Sequence, residues 1–183
     1  MATEVLVTDF GFSEVATAAA NKSAVDNAVL ALPSIGGLVR FPFGSFTVAA
    51  GIVPGKKNVH FEGSGTAYGY EQDTPSKPGT TLIFTAGAYG FDFRGSTPQG
   101  TAESYCKIKN IKIDGNNVLN YGIGIRGLHL VDDTTVTRCT LAGIYILDYL
   151  NSTHLDKISL LKNTGWGLLI EGASSTIGSF RRM

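Results

Sequence analysis

The apolar residues of this chain fall into short runs that repeat. A glycine followed by alternating apolar residues opens "GIGIRG" at Gly122, "GIYILD" at Gly143 and "GLLIEG" at Gly167, and "GFDFRG" at Gly90 fits the same frame. The first and third places after each glycine are apolar: Phe91 and Phe93, Ile123 and Ile125, Ile144 and Ile146, Leu168 and Ile170. Alternation with period two predicts strands that have one apolar face. A second series lies between these runs. It reads as Ile108-x-x-Ile111-x-Ile113, Val136-x-x-Cys139-x-Leu141, Leu155-x-x-Ile158-x-Leu160 and Ile177-x-x-Phe180-x-Arg182. Two strand types therefore alternate at a shared period of roughly 20 to 30 residues, each strand closed by Gly, Asn, Asp or Pro.

One stretch has helical periodicity instead. In "NKSAVDNAVLALPS", Val25, Ala28, Val29 and Leu32 fall at i, i+3, i+4 and i+7, which predicts a helix over 21–33 with one apolar side. Ser23 with Asp26 resembles a capping-box start, Asn21 is a second candidate for the N-cap, and Pro33, Gly36 and Gly37 supply the stop.

Short strands at a fixed period point to a solenoid. Leucine-rich repeats have a similar length but need a leucine and asparagine consensus that is absent. The expected fold is all-β, a right-handed parallel β-helix in one domain over 1–183, with a short N-terminal capping helix at 21–33 and coils over 38–183. An antiparallel sandwich, which also spaces short strands evenly, is the alternative. Arg182 falls where an aliphatic residue is due and no capping segment follows. The expectation is thus a β-helix truncated at its C-terminus, or one whose last rung another chain covers, as in a homotrimer.

Composition narrows the partners. Fifteen Lys and Arg balance fifteen Asp and Glu, so no basic field exists to gather phosphates, which argues against nucleic acid. No apolar run reaches the ~18 residues of a membrane span, and the first ten residues lack a signal-peptide pattern. Twenty-three glycines in 183 residues mean many turns. Cys106 and Cys139 show no metal spacing and read as small core residues.

Several segments resemble a known family. "VTDFG" at 7–11, the helix "NKSAVDNAV", "GGLVRFPFGSFTV" with Phe46 in an aromatic slot, and "VHFEGSG" followed by "TTLIF" are similar to the N-terminal half of the pectate-lyase-like superfamily of right-handed β-helices. That group includes polygalacturonase-like hydrolases and bacteriophage tailspikes. "FSEVATAA" stands where the family often has an Asp-Gly-rich loop. The resemblance implies a helix that plugs the N-terminal end, a polysaccharide partner, and an extracellular or virion-associated location.

If the apolar phase faces inward, the outward residues of the first series include Asp92, Arg94, Gly124, Arg126, Tyr145, Leu147, Leu169 and Glu171. Arg94, Arg126, Leu147 and Glu171 would then line one ladder, a floor for a sugar chain. Glycoside hydrolysis usually needs two carboxyl groups ~5 to 9.5 Å apart. Asp148 and Glu171 are the pair in adjacent coils and hence the catalytic candidates. "VDD" at 131–133 resembles the paired aspartates of polygalacturonases, but the "NTD", "GHG" and "RIK" companions are missing, so no roles transfer. A lyase would need a base and a cation beside the uronate, for which Arg94 and Arg126 are candidates. No cofactor is expected, with calcium a possibility for a lyase alone. Asp114, Asn116 and Asn117 in "IDGNN" read as a turn rather than a calcium loop. His60, His129 and His154 form no zinc or triad pattern. The insertion 63–79 brings Tyr68 and Tyr70, which join Tyr145 as candidates for stacking against sugar rings. The expected function is polysaccharide recognition, either within a lyase or glycoside hydrolase or as a non-catalytic structural module.

Overall fold

The computed structural model describes residues 3–65, 79–95, 105–127, 129–147 and 153–172, and the backbone of 180–181. A short strand β1 (Glu4–Leu6) and a 3-10 turn (Val7–Phe10) precede one helix, α1 (Ala18–Ala31). Strands follow: β2 (Gly37–Arg40), β3 (Gly44–Val48), β4 (Val59–Glu62), β5 (Thr80–Phe84), β6 (Tyr89–Phe93), β7 (Cys106–Lys109) and β8 (Ile111–Asp114). The last six are β9 (Tyr121–Ile125), β10 (His129–Thr137), β11 (Ala142–Leu147), β12 (His154–Leu161), β13 (Trp166–Glu171) and β14 (Phe180–Arg181).

The helix starts three residues before the expected 21–33. Thr17 is its N-cap, with Oγ1 accepting from the Ala20 N–H at 3.2 Å. The early start was hidden because "AAA" after Thr17 shows no contrast between apolar and polar positions. Asn21 is therefore no cap. It lies inside the helix, fully buried, where Nδ2 donates to the carbonyls of Ser13 and Thr47 and Oδ1 accepts from the Ser13 N–H, all at 2.9 Å. These bonds fasten the helix to the preceding loop and to β3, while Val25, Ala28 and Val29 face the core.

The expected right-handed β-helix, an all-β solenoid of closed coils, is corrected by the strand pairing. The strands form two parallel sheets. The larger has ten strands in the order β1-β2-β4-β7-β10-β8-β5-β3, with β12 beside β10 and β14 beside β12; the smaller is β13-β11-β9-β6. Neither sheet closes on itself, and sequence-distant strands lie side by side, as in an open α/β sheet. The physical reason is the length of β10. Its first half pairs with β7 and its second half with β8, so it joins both rows of strands into one sheet. Left-handed residues at Asn110, Asp133 and Lys157, with φ of 57°, 43° and 49°, mark the line where this sheet bends.

The register of the first repeat series is as its phase predicts: Phe91, Ile123, Ile144 and Leu168 pair in one ladder, and Phe93, Ile125, Ile146 and Ile170 in the next but one. The second series needs reframing. Ile108 pairs with Val131, Val131 with Leu155 and Leu155 with Phe180, so the true second member is Val131-x-x-Thr134-x-Val136. Thr134 fills an inward slot because its hydroxyl donates to the Asp132 carbonyl at 2.8 Å and needs no water. Leu141, placed inward by the earlier frame, is 46% exposed.

The leading glycines are explained by crowding. A Cβ on Gly90 would lie 2.7 Å from the Gly122 carbonyl oxygen, one on Gly122 2.7 Å from that of Gly143, and one on Gly143 2.9 Å from that of Gly167. The inner faces of both sheets and α1 close on one core, rich in Phe41, Phe61, Phe84, Phe91 and the paired isoleucines. Cys106 and Cys139 are buried in it, and burial pushes their thiols up to about 11 and about 12.

Candidate functional site

The outer face of the four-stranded sheet carries a wall of tyrosines. Tyr89 on β6 and Tyr121 on β9 are direct ladder partners, and their rings stack with centroids 4.8 Å apart at 15°. Tyr145 on β11 leans onto the same group, 4.8 Å from Tyr121 and 6.4 Å from Tyr89. The seat for these rings is Gly124, which pairs with both Asp92 and Tyr145. A Cβ there would lie 2.6 Å from Tyr89 Cδ1.

Charged groups rim the wall. Arg94 Nε and Nη2 donate to the two oxygens of Asp92, each at 2.8 Å, and the guanidinium carbon lies 3.6 Å from the Tyr89 ring centroid. This pair is fixed on three sides by a fork-like ion pair, a backbone bond from the Arg94 N–H to Asp92 and a cation–π contact. At the other end the Tyr145 hydroxyl donates to Glu171 Oε2 at 2.9 Å. Burial, and then that bond, push the Tyr145 phenol up to about 12. Tyr145 therefore keeps its proton at neutral pH and acts as a hydrogen-bond donor, not as a base. Its ring is 7% exposed, whereas Glu171 is open to solvent.

Several expected residues come together here. The pairing of Phe93 with Ile125, of Ile125 with Ile146 and of Leu147 with Glu171 puts Arg94, Arg126, Leu147 and Glu171 in one ladder, with Tyr145 diagonal to Glu171. Arg94 is ion-paired with Asp92. Asp148, the proposed catalytic partner of Glu171, lies outside the described residues, as do Tyr68 and Tyr70. Asp114 serves the turn: its carboxylate accepts from Arg138 Nε at 2.7 Å and from the Asn116 N–H at 2.9 Å. His129 is buried, with Nδ1 accepting from the Cys106 N–H at 3.3 Å and Nε2 3.0 Å from the Arg126 carbonyl.

Tyr89 and Tyr121 were missed by sequence reasoning, and a signal for them existed. An aromatic residue precedes three of the four leading glycines, in Tyr89-Gly90, Tyr121-Gly122 and Trp166-Gly167. Trp166 occupies the same ladder as the two tyrosines, through Ala142, and is 65% exposed. Among the described residues, no group of three His, Cys, Asp or Glu side chains is arranged to hold a metal ion.

No protein-family model matches the chain, and no curated protein matches it. Among solved structures it is similar to ORF18 of Geobacillus virus E2, with a TM-score of 0.65 and 25% sequence identity over 83% of this chain. The match spans 29% of the viral protein, so this chain corresponds to less than a third of that protein's length.

Proposed function

We propose that the tyrosine wall is a glycan-binding surface and that the protein is an extracellular or virion-associated polysaccharide-recognition module. The observation that carries this reading is the stacked row of Tyr89, Tyr121 and Tyr145 with an open carboxylate at one rim and a fixed Asp92–Arg94 pair at the other. A pyranose ring has an apolar C–H face and a rim of hydroxyls. The exposed Trp166 ring in the same ladder suits the first, and the edges of the stacked tyrosines with the carboxylate and guanidinium groups suit the second. The viral origin of the similar structure supports the virion setting.

Trp166, the sole tryptophan, gives the assay. Titrating neutral and acidic polysaccharides should change its fluorescence in a saturable way, and Tyr121→Ala should weaken binding roughly tenfold, the equivalent of ~1.4 kcal/mol. The reading fails if no polysaccharide in the panel alters the signal, or if Tyr121→Ala binds as tightly as the parent. Mass spectrometry of the same mixtures separates hydrolysis, which adds water, from elimination, which leaves unsaturated ends, and from binding alone.

A further inference from the structure

A second concavity lies on the larger sheet, apart from the tyrosine wall. It is a groove of about 480 Å³ whose lining includes Ile35, Leu38, His60, Glu62, Lys107 and Lys109. That size is in the range of small-ligand sites, ~300 to 1,000 Å³.

Two neighbouring ladders set its charge. In one, Arg40, Glu62, Lys109 and Asp132 pair in succession and alternate in sign, with Arg40 Nε also donating to Glu4 at 2.7 Å and Lys109 lying 3.7 Å from Asp132. Because Arg40 also serves Glu4 and Lys109 lies beside Asp132, Glu62 keeps a negative charge in the lining of the groove. In the other, Leu38, His60, Lys107 and Leu130 are successive partners. Glu4 stands beside Leu38 in that row and is held by Arg40, whereas Lys107 makes no ion pair among the described residues.

His60 adds an unmet hydrogen-bonding group. Its Nε2 is buried without a hydrogen-bond partner, while the Tyr105 ring packs edge-on at 5.7 Å and 80°. Burial, and then the field of Lys107, hold the imidazole below its usual pKa, so the ring is neutral at neutral pH. A buried, unpaired ring nitrogen is rare in a folded protein and marks a place where another polar group can bind.

We propose that this groove binds a carboxylate-bearing small molecule of about monosaccharide size, with the Lys107 ammonium meeting the carboxylate and His60 Nε2 hydrogen-bonding to it. Lys107 offers one cation without an ion pair among the described residues, and Glu62 in the same lining disfavours a phosphate dianion, while Ile35 and Leu38 give the body of the ligand an apolar side. The site stands independently of the tyrosine wall, on a different sheet and different residues.

The test compares glucuronate with glucose, which differ at one carbon, and with inorganic phosphate, by NMR of the histidine ring protons. The chain has three histidines, and His60→Gln identifies the His60 signal by its loss. Glucuronate should shift that signal saturably, glucose should not, and Lys107→Met, which keeps the aliphatic stem, should weaken glucuronate binding roughly tenfold. The proposal is overturned by no saturable shift with glucuronate, by an equal response to glucose, by tighter binding of phosphate, or by unchanged affinity in Lys107→Met. Fluorescence of Trp166 during the same titration should stay constant, since that residue reports the other sheet.

Discussion

Gly122→Ala isolates the crowding that the repeat glycines relieve. The new Cβ would sit 2.2 Å from Val136 Cγ1, 2.7 Å from the Gly143 carbonyl oxygen and 3.3 Å from Cys139 Sγ. The first contact is more than an ångström inside van der Waals distance. Val136 is fully buried and paired with Ile113 and Leu160, and its branched side chain has few other rotamers to adopt. Overpacking of this kind costs ~1 to 3 kcal/mol. Alanine recovers ~0.4 to 1 kcal/mol by restricting the unfolded chain, because Gly122 has no left-handed φ that a side chain would strain. The net expectation is a loss of about 1 to 2 kcal/mol. Gly167→Ala is the control. Its Cβ would meet nothing nearer than Leu160 Cβ at 3.3 Å, so it should be neutral or stabilise by up to ~0.5 kcal/mol. Urea denaturation of both variants, with unchanged slopes, reads the difference as a shift in midpoint. In a Val136→Ala background the cost of Gly122→Ala should shrink, since the atom it strikes is gone. Equal midpoints for Gly122→Ala and Gly167→Ala, or a Gly122→Ala cost that Val136→Ala leaves untouched, would refute the reasoning.

Two further outcomes follow from buried polar groups. Asn21→Ala removes three hydrogen bonds and strands the Ser13 N–H and the Thr47 carbonyl, while the Ser13 carbonyl keeps the Ala16 N–H, which should cost ~2 to 3 kcal/mol and speed amide exchange at Ser13; parent-like thermal stability and exchange would contradict it. The second outcome concerns pH. Burial lowers the pKa of both His129 and His60 in the folded state, so as pH falls below about 6.5 the unfolded chain takes up protons that the native state refuses. Stability should therefore be full above that value and decline from there toward about pH 5, and a melting temperature that rises over this interval would contradict the assignment.

Which parts of this architecture the residues announced depended on how much contrast they offered. The first strand series was legible because aliphatic or aromatic residues fill both inward places and a glycine fixes the phase. The second was misframed at two members, since Thr134 occupies an apolar slot and satisfies its hydroxyl internally, and Phe180, read as a middle place, pairs with Leu155 at the first. The joining of strands into a single ten-stranded sheet was invisible: "VDDTTV" reads as a break, yet β10 runs through it by taking Asp133 into the left-handed region. That continuity, more than any error in the apolar pattern, is why a solenoid was expected and two open sheets were found.

At the site, Arg94, Tyr145 and Glu171 were reachable from the outward phase alone, and the Asp92–Arg94 pair follows from the same rule, because residues two apart on a strand share a face. Tyr89 and Tyr121 were not reached, because strict alternation from Phe91 and Ile123 would place them on the inner face. Gly122 faces Val136 and Cys139 in the core and the next residue, Ile123, is buried as well, so strict alternation is broken there and the break leaves the residue before Gly122 to project outward. Tyr121 does so, and Tyr89 before Gly90 and Trp166 before Gly167 share its ladder. The glycine that lets adjacent strands close over the core thus also sets the phase that turns the preceding aromatic outward. The packed core and the outer row of rings are coupled through one dipeptide, which recurs as Tyr89-Gly90, Tyr121-Gly122 and Trp166-Gly167 at the spacing of the ladder.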